Sequence, residues 1–229
     1  MIKSKRLAGL RATPSSRTRR LAACLCLLAT TPLAWAQAVP DSAAILRGLA
    51  RPVPAATPFV EVRESPMLKA PLRLSGEYRR PDAATLVREV RQPYSETTTI
   101  RDGHAILARA GKPERRFALS RAPELAALQS SFGALLSGDA EALRAHYTVD
   151  VQGTAAHWSL RLLPRDAALA RRLQGIVLHG DGDELRCIET TPAKGPAQRT
   201  LMAGAAQAAL RAGEAADIAG LCRGDQDAG

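Results

Sequence analysis

Eight consecutive residues, Leu72-Arg73-Leu74-Ser75-Gly76-Glu77-Tyr78-Arg79, place an apolar or small side chain at every even position and a polar one at every odd position. A helix would scatter that pattern around its circumference, whereas a strand sorts it into one dry and one wet face, as in an antiparallel sheet covered on one side. Segments of similar character recur at close spacing: 59–64, 85–91, 95–101, 104–109 and 115–119, and later 149–152, 158–163, 173–179, 184–190 and 198–202. Turn sequences separate them, among them Gln92-Pro93, Asp102-Gly103, Gly111-Lys112-Pro113 and Gly180-Asp181-Gly182-Asp183. Asp-Gly is a strong tight-hairpin signal because both central residues of the favoured turn need positive φ. The expected class is α+β, mainly antiparallel β, with a meander as its body.

The period changes in three places. Asp41 is placed to cap a short helix carrying Ile45, Leu46 and Leu49, which Arg51-Pro52-Val53-Pro54 then stops. Leu125, Leu128, Phe132, Leu135 and Leu136 fall at helical spacing up to Gly138, and Asp139 opens a second helix with Ala142, Leu143 and Tyr147. Residues 205–221 read as one Ala-rich helix. A long sheet with one apolar face is expected to curl into an unclosed, half β-barrel, with the mid-sheet helical pair as a lid over its mouth. Such a concave face suits an acyl chain, since burial gains about 0.8 kcal/mol per methylene. It could equally be filled by the protein's own side chains.

The formal charge of +10 suggests a polyanion binder until its position is examined. Seven of the 32 basic residues (Lys3, Lys5, Arg6, Arg11, Arg17, Arg19 and Arg20) lie in the first 36 residues, which hold no acid. The rest of the chain sets 25 bases against all 22 acids, which makes no case for nucleic acid. Aromatic residues, 3% of the chain, also supply no stacking platform for single strands. Residues 1–36 read as an export signal: a basic region, an apolar stretch from Leu21 to Leu33, then Ala34-Trp35-Ala36, with cleavage expected after Ala36 into the periplasm. Leu21-Ala22-Ala23-Cys24 has the form of a lipidation site but precedes most of the apolar stretch it should follow. In an oxidising compartment Cys187 and Cys222, the cysteines outside the signal, could pair; two unrelated thiols are the alternative. The remaining organisation reads as an N-terminal helix and linker over 37–57, a sheet domain over 58–204, and a C-terminal helix and tail over 205–229.

Catalytic patterns are missing. His104, His146, His157 and His179 share no metal or catalytic spacing, and the chain has no Gly-rich phosphate loop or nucleophile elbow. Asp181-Gly182-Asp183-Glu184 is acidic enough for calcium but lacks the twelve-residue ligand pattern, and a hairpin needs a turn there. The expectation is a non-enzyme without cofactor or metal.

Several short matches in fixed order carry a resemblance. They are Phe59-x-Glu61, Leu68-x-x-Pro71-Leu72, Gly76-x-Tyr78-x-Arg80-Pro81, Pro93, Ile100-x-Asp102-Gly103, Leu135-Leu136-Ser137-Gly138-Asp139 and Trp158-x-Leu160-x-Leu162-x-Pro164. In this ordered set the chain resembles the outer-membrane lipoprotein carrier family, in its LolA-like branch. The resemblance implies a half-barrel with a helical lid, acting as a monomeric periplasmic carrier or chaperone. It would take lipoprotein or other acylated lipid cargo from an inner-membrane donor transporter to an outer-membrane acceptor. An accessory subunit docking a lipid or polyene exporter is the alternative. Arg80 matches the family arginine that closes the lid, and Leu72, Leu74 and Tyr78 share its strand face. With Phe132, Leu136, Trp158 and Leu160 they form the expected ligand-binding set. Family carriers line the cavity with many aromatics, and the shortage here points toward a different acylated or polyene-like lipid.

Overall fold

The computed structural model describes residues 40–65, 68–121, 134–135 and 138–224. Eleven strands form one antiparallel sheet: β1 (Ala55–Arg63), β2 (Leu72–Arg80), β3 (Leu86–Gln92), β4 (Glu96–Arg101), β5 (His104–Arg109), β6 (Arg115–Ala118), β7 (Tyr147–Gly153), β8 (His157–Pro164), β9 (Leu173–Asp181), β10 (Glu184–Pro192) and β11 (Gln198–Met202). Their order is β6-β5-β4-β3-β2-β1-β11-β10-β9-β8-β7, so among the described residues β6 and β7 are the edges and the barrel stays open. Residues 119–146 connect those edges, and most of the first expected lid helix, from Leu125 to Leu136, lies outside the described residues. Asp102 and Gly103 both have positive φ, 50° and 69°, and make the tight β4–β5 turn foreseen from the Asp-Gly pair.

The expected strands are present, with shifted ends. β1 begins at Ala55 and so takes in Pro58, whereas the sequence reading started it at residue 59. A proline is tolerated there because β11 ends opposite Phe59, which leaves Pro58 a neighbour in β2 alone. Tyr147, expected on the Asp139-capped helix, is instead the first residue of β7 and is fully buried. That helix spans Ala140–His146, and the Asp139 carboxylate accepts from the Ala142 N–H at 2.9 Å.

The two faces of the sheet have separate cores. On the outer face, Val60, Cys187 and Leu201 pack under Ala205, Ala206, Ala209, Leu221 and Cys222. The single C-terminal helix expected there is two helices, Ala203–Ala212 and Ile218–Arg223. Gly213, at φ 62°, ends the first, and Asp217 opens the second by accepting from the Gly220 N–H at 3.0 Å. Arg73, on the outer face of β2, donates to the Gly213 and Ala209 carbonyls at 2.5 and 2.8 Å, placing a cation at the first helix's negative end. A Cys187–Cys222 disulfide fastens the second helix to β10.

On the inner face, helix Ser42–Leu49 buries Ile45, Leu46 and Leu49 with Leu143, Leu160, Leu162 and Leu178. At Gly138 (φ 72°), a side chain would come within 3.1 Å of the Leu46 carbonyl. The protein itself thus covers Leu160 and Leu162 of β8 and Leu178 of β9 on the inner face. A short helix missed in the sequence, Ala167–Ala170, sets Leu169 over the start of β9, its N-terminus capped by Asp166.

Candidate functional site

β1 puts Phe59, Glu61 and Arg63 on one side, and Phe59 is fully buried on the inner face. Glu61 is therefore carried inward too and is only 5% exposed. In β3 the same alternation places Arg88 between the inward Leu86 and Val90. The register sets Arg88 opposite Tyr78 and Thr98, and Glu61 opposite Leu74 and Thr200. These strand positions bring three charges together under a face that is otherwise mostly apolar.

The Glu61 carboxylate is held from two sides. Arg88 Nη2 donates to Oε2 at 2.6 Å, and Arg63 Nε donates to Oε1. The Arg88 guanidinium also lies over the Phe59 ring, 4.8 Å from its centroid, and hydrogen-bonds Tyr78. Burial pushes the Tyr78 phenol above its ordinary value, against the opposing pull of Arg88. Burial works against the charge on Arg88, but Tyr78 and Glu61 outweigh it and the pKa is raised. Side-chain exposure grows outward, from 7% at Glu61 and 14% at Arg88 to 41% at Arg63.

This cluster forms one end of a cavity of about 480 Å³. Leu86, Ile100, Leu173, Ile176 and Ile188 supply its apolar wall, and Thr98, Thr190 and Thr200 add hydroxyls. A second cavity of about 490 Å³ lies under the segment after helix Ser42–Leu49, lined by Leu49, Pro52, Pro54, Leu135, Glu184 and Met202 among others. Its rim is tied by Arg51, whose Nη2 donates to the Asp183 carbonyl at 2.5 Å.

Among the described residues expected to bind ligand, only Tyr78 lines the first cavity. Leu74, Trp158 and Leu160 belong to the inner core at 0%, 4% and 0% exposure, and Leu72 is half-buried against it. Trp158 packs on Gly180, where any side chain would collide with its ring, and its indole N–H donates to the Gly182 carbonyl at 2.8 Å. Arg80 ends the inward row of β2, and its Nη1 reaches the Arg51 carbonyl at 3.4 Å, in the segment after the N-terminal helix. Phe132 and Leu136 lie outside the described residues, as does the export signal.

Glu61, Arg63 and Arg88 were missing from the expected set, although the signal was in the sequence. Glu61 stands two residues from the buried Phe59 and Arg88 two from Leu86 and Val90, and Arg63 follows Glu61 by two, so period two assigns all three to the dry face. Among the described residues, no group of three His, Cys, Asp or Glu side chains could hold a metal ion, and no helix is long and apolar enough to cross a membrane. His157 Nδ1 meets Asp181 Oδ1 at 2.7 Å on the surface beside Arg186, away from both cavities.

The profile of the family described as outer membrane lipoprotein carrier protein LolA-like matches residues 34–225. No curated protein matches the sequence. Among solved structures, a LolA superfamily protein from Nitrosomonas europaea is 9% identical with a TM-score of 0.39, over 72% of this chain and 91% of the other. The Pseudomonas aeruginosa MucA/MucB complex is similar at 18% identity and a TM-score of 0.37, over 71% of this chain and 56% of that one.

Proposed function

This chain belongs to the LolA-like family of outer-membrane lipoprotein carrier proteins, and on that premise we propose that it carries an acyl-chain cargo in the inner cavity of its open sheet. The observation that supports this most is the cavity on the inner face of the sheet walled by Leu86, Ile100, Leu173, Ile176 and Ile188. At about 0.8 kcal/mol per buried methylene, a dozen methylenes along that wall gain on the order of 10 kcal/mol over water. That is enough to hold a chain that cannot travel alone. The threonines and ion pairs interspersed with the apolar residues give the cargo less than a fully apolar pocket would, which suits a carrier that must also release.

In this reading the export signal delivers the chain to the periplasm, and it works without catalysis between an inner-membrane donor and an outer-membrane acceptor. Helices Ser42–Leu49 and Ala140–His146 form the cover. Arg80 fastens it through the Arg51 carbonyl, and an opened cover would admit the chain. Native mass spectrometry of protein taken from the periplasm tests the reading. A bound species of acyl-lipid mass, lost on delipidation, is expected. Apo protein alone would favour an accessory subunit that docks an exporter and carries nothing.

A further inference from the structure

The inner cavity is unusual for an acyl-chain site in having a charge cluster built into its wall. Three arginines, Arg63, Arg88 and Arg172, line it against two glutamates, Glu61 and Glu96. Glu61 is held by two of those arginines, and Glu96 faces Arg109 at 3.8 Å. The wall therefore has a surplus of positive charge. Arg63 is the more exposed of the two arginines that grip Glu61. Its Nε is given to Glu61, and among the described residues its two Nη groups bond no protein acceptor. A guanidinium edge with both Nη groups available is the geometry that receives an oxyanion in bidentate fashion.

Size sets a second limit. If a methylene takes about the 30 Å³ share of a liquid water, about 480 Å³ holds on the order of sixteen such groups. That matches the volume of one long acyl chain.

Resting on the acyl-cargo reading, we propose that the cavity selects an amphiphile with one acyl chain and an anionic oxyacid head, carboxylate or phosphate. The head pairs with Arg63, and the chain lies along Leu86, Ile100, Ile176 and Ile188. Deeper in the wall, Arg88 stays committed to Glu61 and Tyr78, so the cluster stays paired when the cavity is empty and still presents one guanidinium to the cargo.

The test is calorimetric titration of delipidated protein, purified from the periplasm, with palmitate, hexadecyl phosphate and hexadecanol. One charge-assisted pair predicts that at least one anionic amphiphile binds about tenfold or more tightly than the alcohol. Which of the two does so names the head. Arg63→Gln should abolish that preference while changing the alcohol's affinity less than about twofold, and Arg63→Lys should restore part of it. Ile176→Trp, which fills the chain's place, should weaken all three. Equal binding of the three amphiphiles, or a preference that survives Arg63→Gln, would overturn the head-group assignment alone. Binding of none of them would overturn the acyl-cargo reading with it.

Discussion

Arg88 Nη2 donates to Glu61 Oε2 at 2.6 Å under the concave face of the sheet, where the two side chains are only 14% and 7% exposed. Both charges are largely shielded from water, so removing one takes a close ion-pair partner from the other. Glu61→Ala should destabilise the protein by about 3–5 kcal/mol, the usual penalty for breaking a buried pair. Removing the Arg88 charge as well, in Glu61→Ala/Arg88→Met, should recover most of that loss. Urea denaturation of the single and double variants reads both numbers.

Tyr78 gives the fold an alkaline limit. Its phenol is raised by burial, so above about pH 10, the ordinary tyrosine value, the unfolded chain releases a proton that the folded one still holds. Stability from this group is complete below that pH and falls as the pH rises toward the folded value. The loss approaches about 1.4 kcal/mol per pH unit. Tyr78→Phe removes the titration, and the stability of the variant measured from pH 9 to 11 should fall less steeply than that of the parent.

The disulfide closes a loop between residues 35 apart and pins the terminal helix to β10. Cys187→Ala/Cys222→Ala should cost about 2–5 kcal/mol. Dithiothreitol should lower the denaturation midpoint of the parent to that of the variant and leave the variant unmoved.

Arg80 ties the end of β2 to the carbonyl of Arg51. If that bond fastens the cover, Arg80→Leu should speed release of a fluorescent fatty-acid probe by about fivefold or more, the equivalent of one net hydrogen bond. Far-UV circular dichroism should be unchanged. A release rate equal to the parent's would remove Arg80 from the mechanism.

Much of this architecture is legible in the sequence because its signals are local. The Asp102-Gly103 pair dictates a turn by its own backbone freedom, and alternation in β2 fixes a face without reference to any other strand. Where the sequence misleads, the deciding partner is distant. Tyr147 fits a helical face as well as a strand, and pairing with Pro164 of β8 decides for the strand. Alanine-rich sequence on both sides hides the break at Gly213, where a positive φ ends the helix and Asp217 starts another. The ligand set shows the same limit. Leu74, Trp158 and Leu160 do face inward, but how much of that face the N-terminal helix fills is a tertiary fact. The charges on the dry face could have been found, because period two places Glu61 beside Phe59 and Arg88 between Leu86 and Val90 whatever else the chain does.

The most direct test of the central claim is to locate an acyl chain on the protein. With ¹³C-labelled palmitate and methyl-labelled protein, intermolecular nuclear Overhauser effects should run from chain methylenes to the methyls of Ile100, Ile176 and Ile188 in the inner cavity. Contacts confined to Leu49, Leu185 and Met202, which line the other cavity, or no contacts at all, would contradict the account.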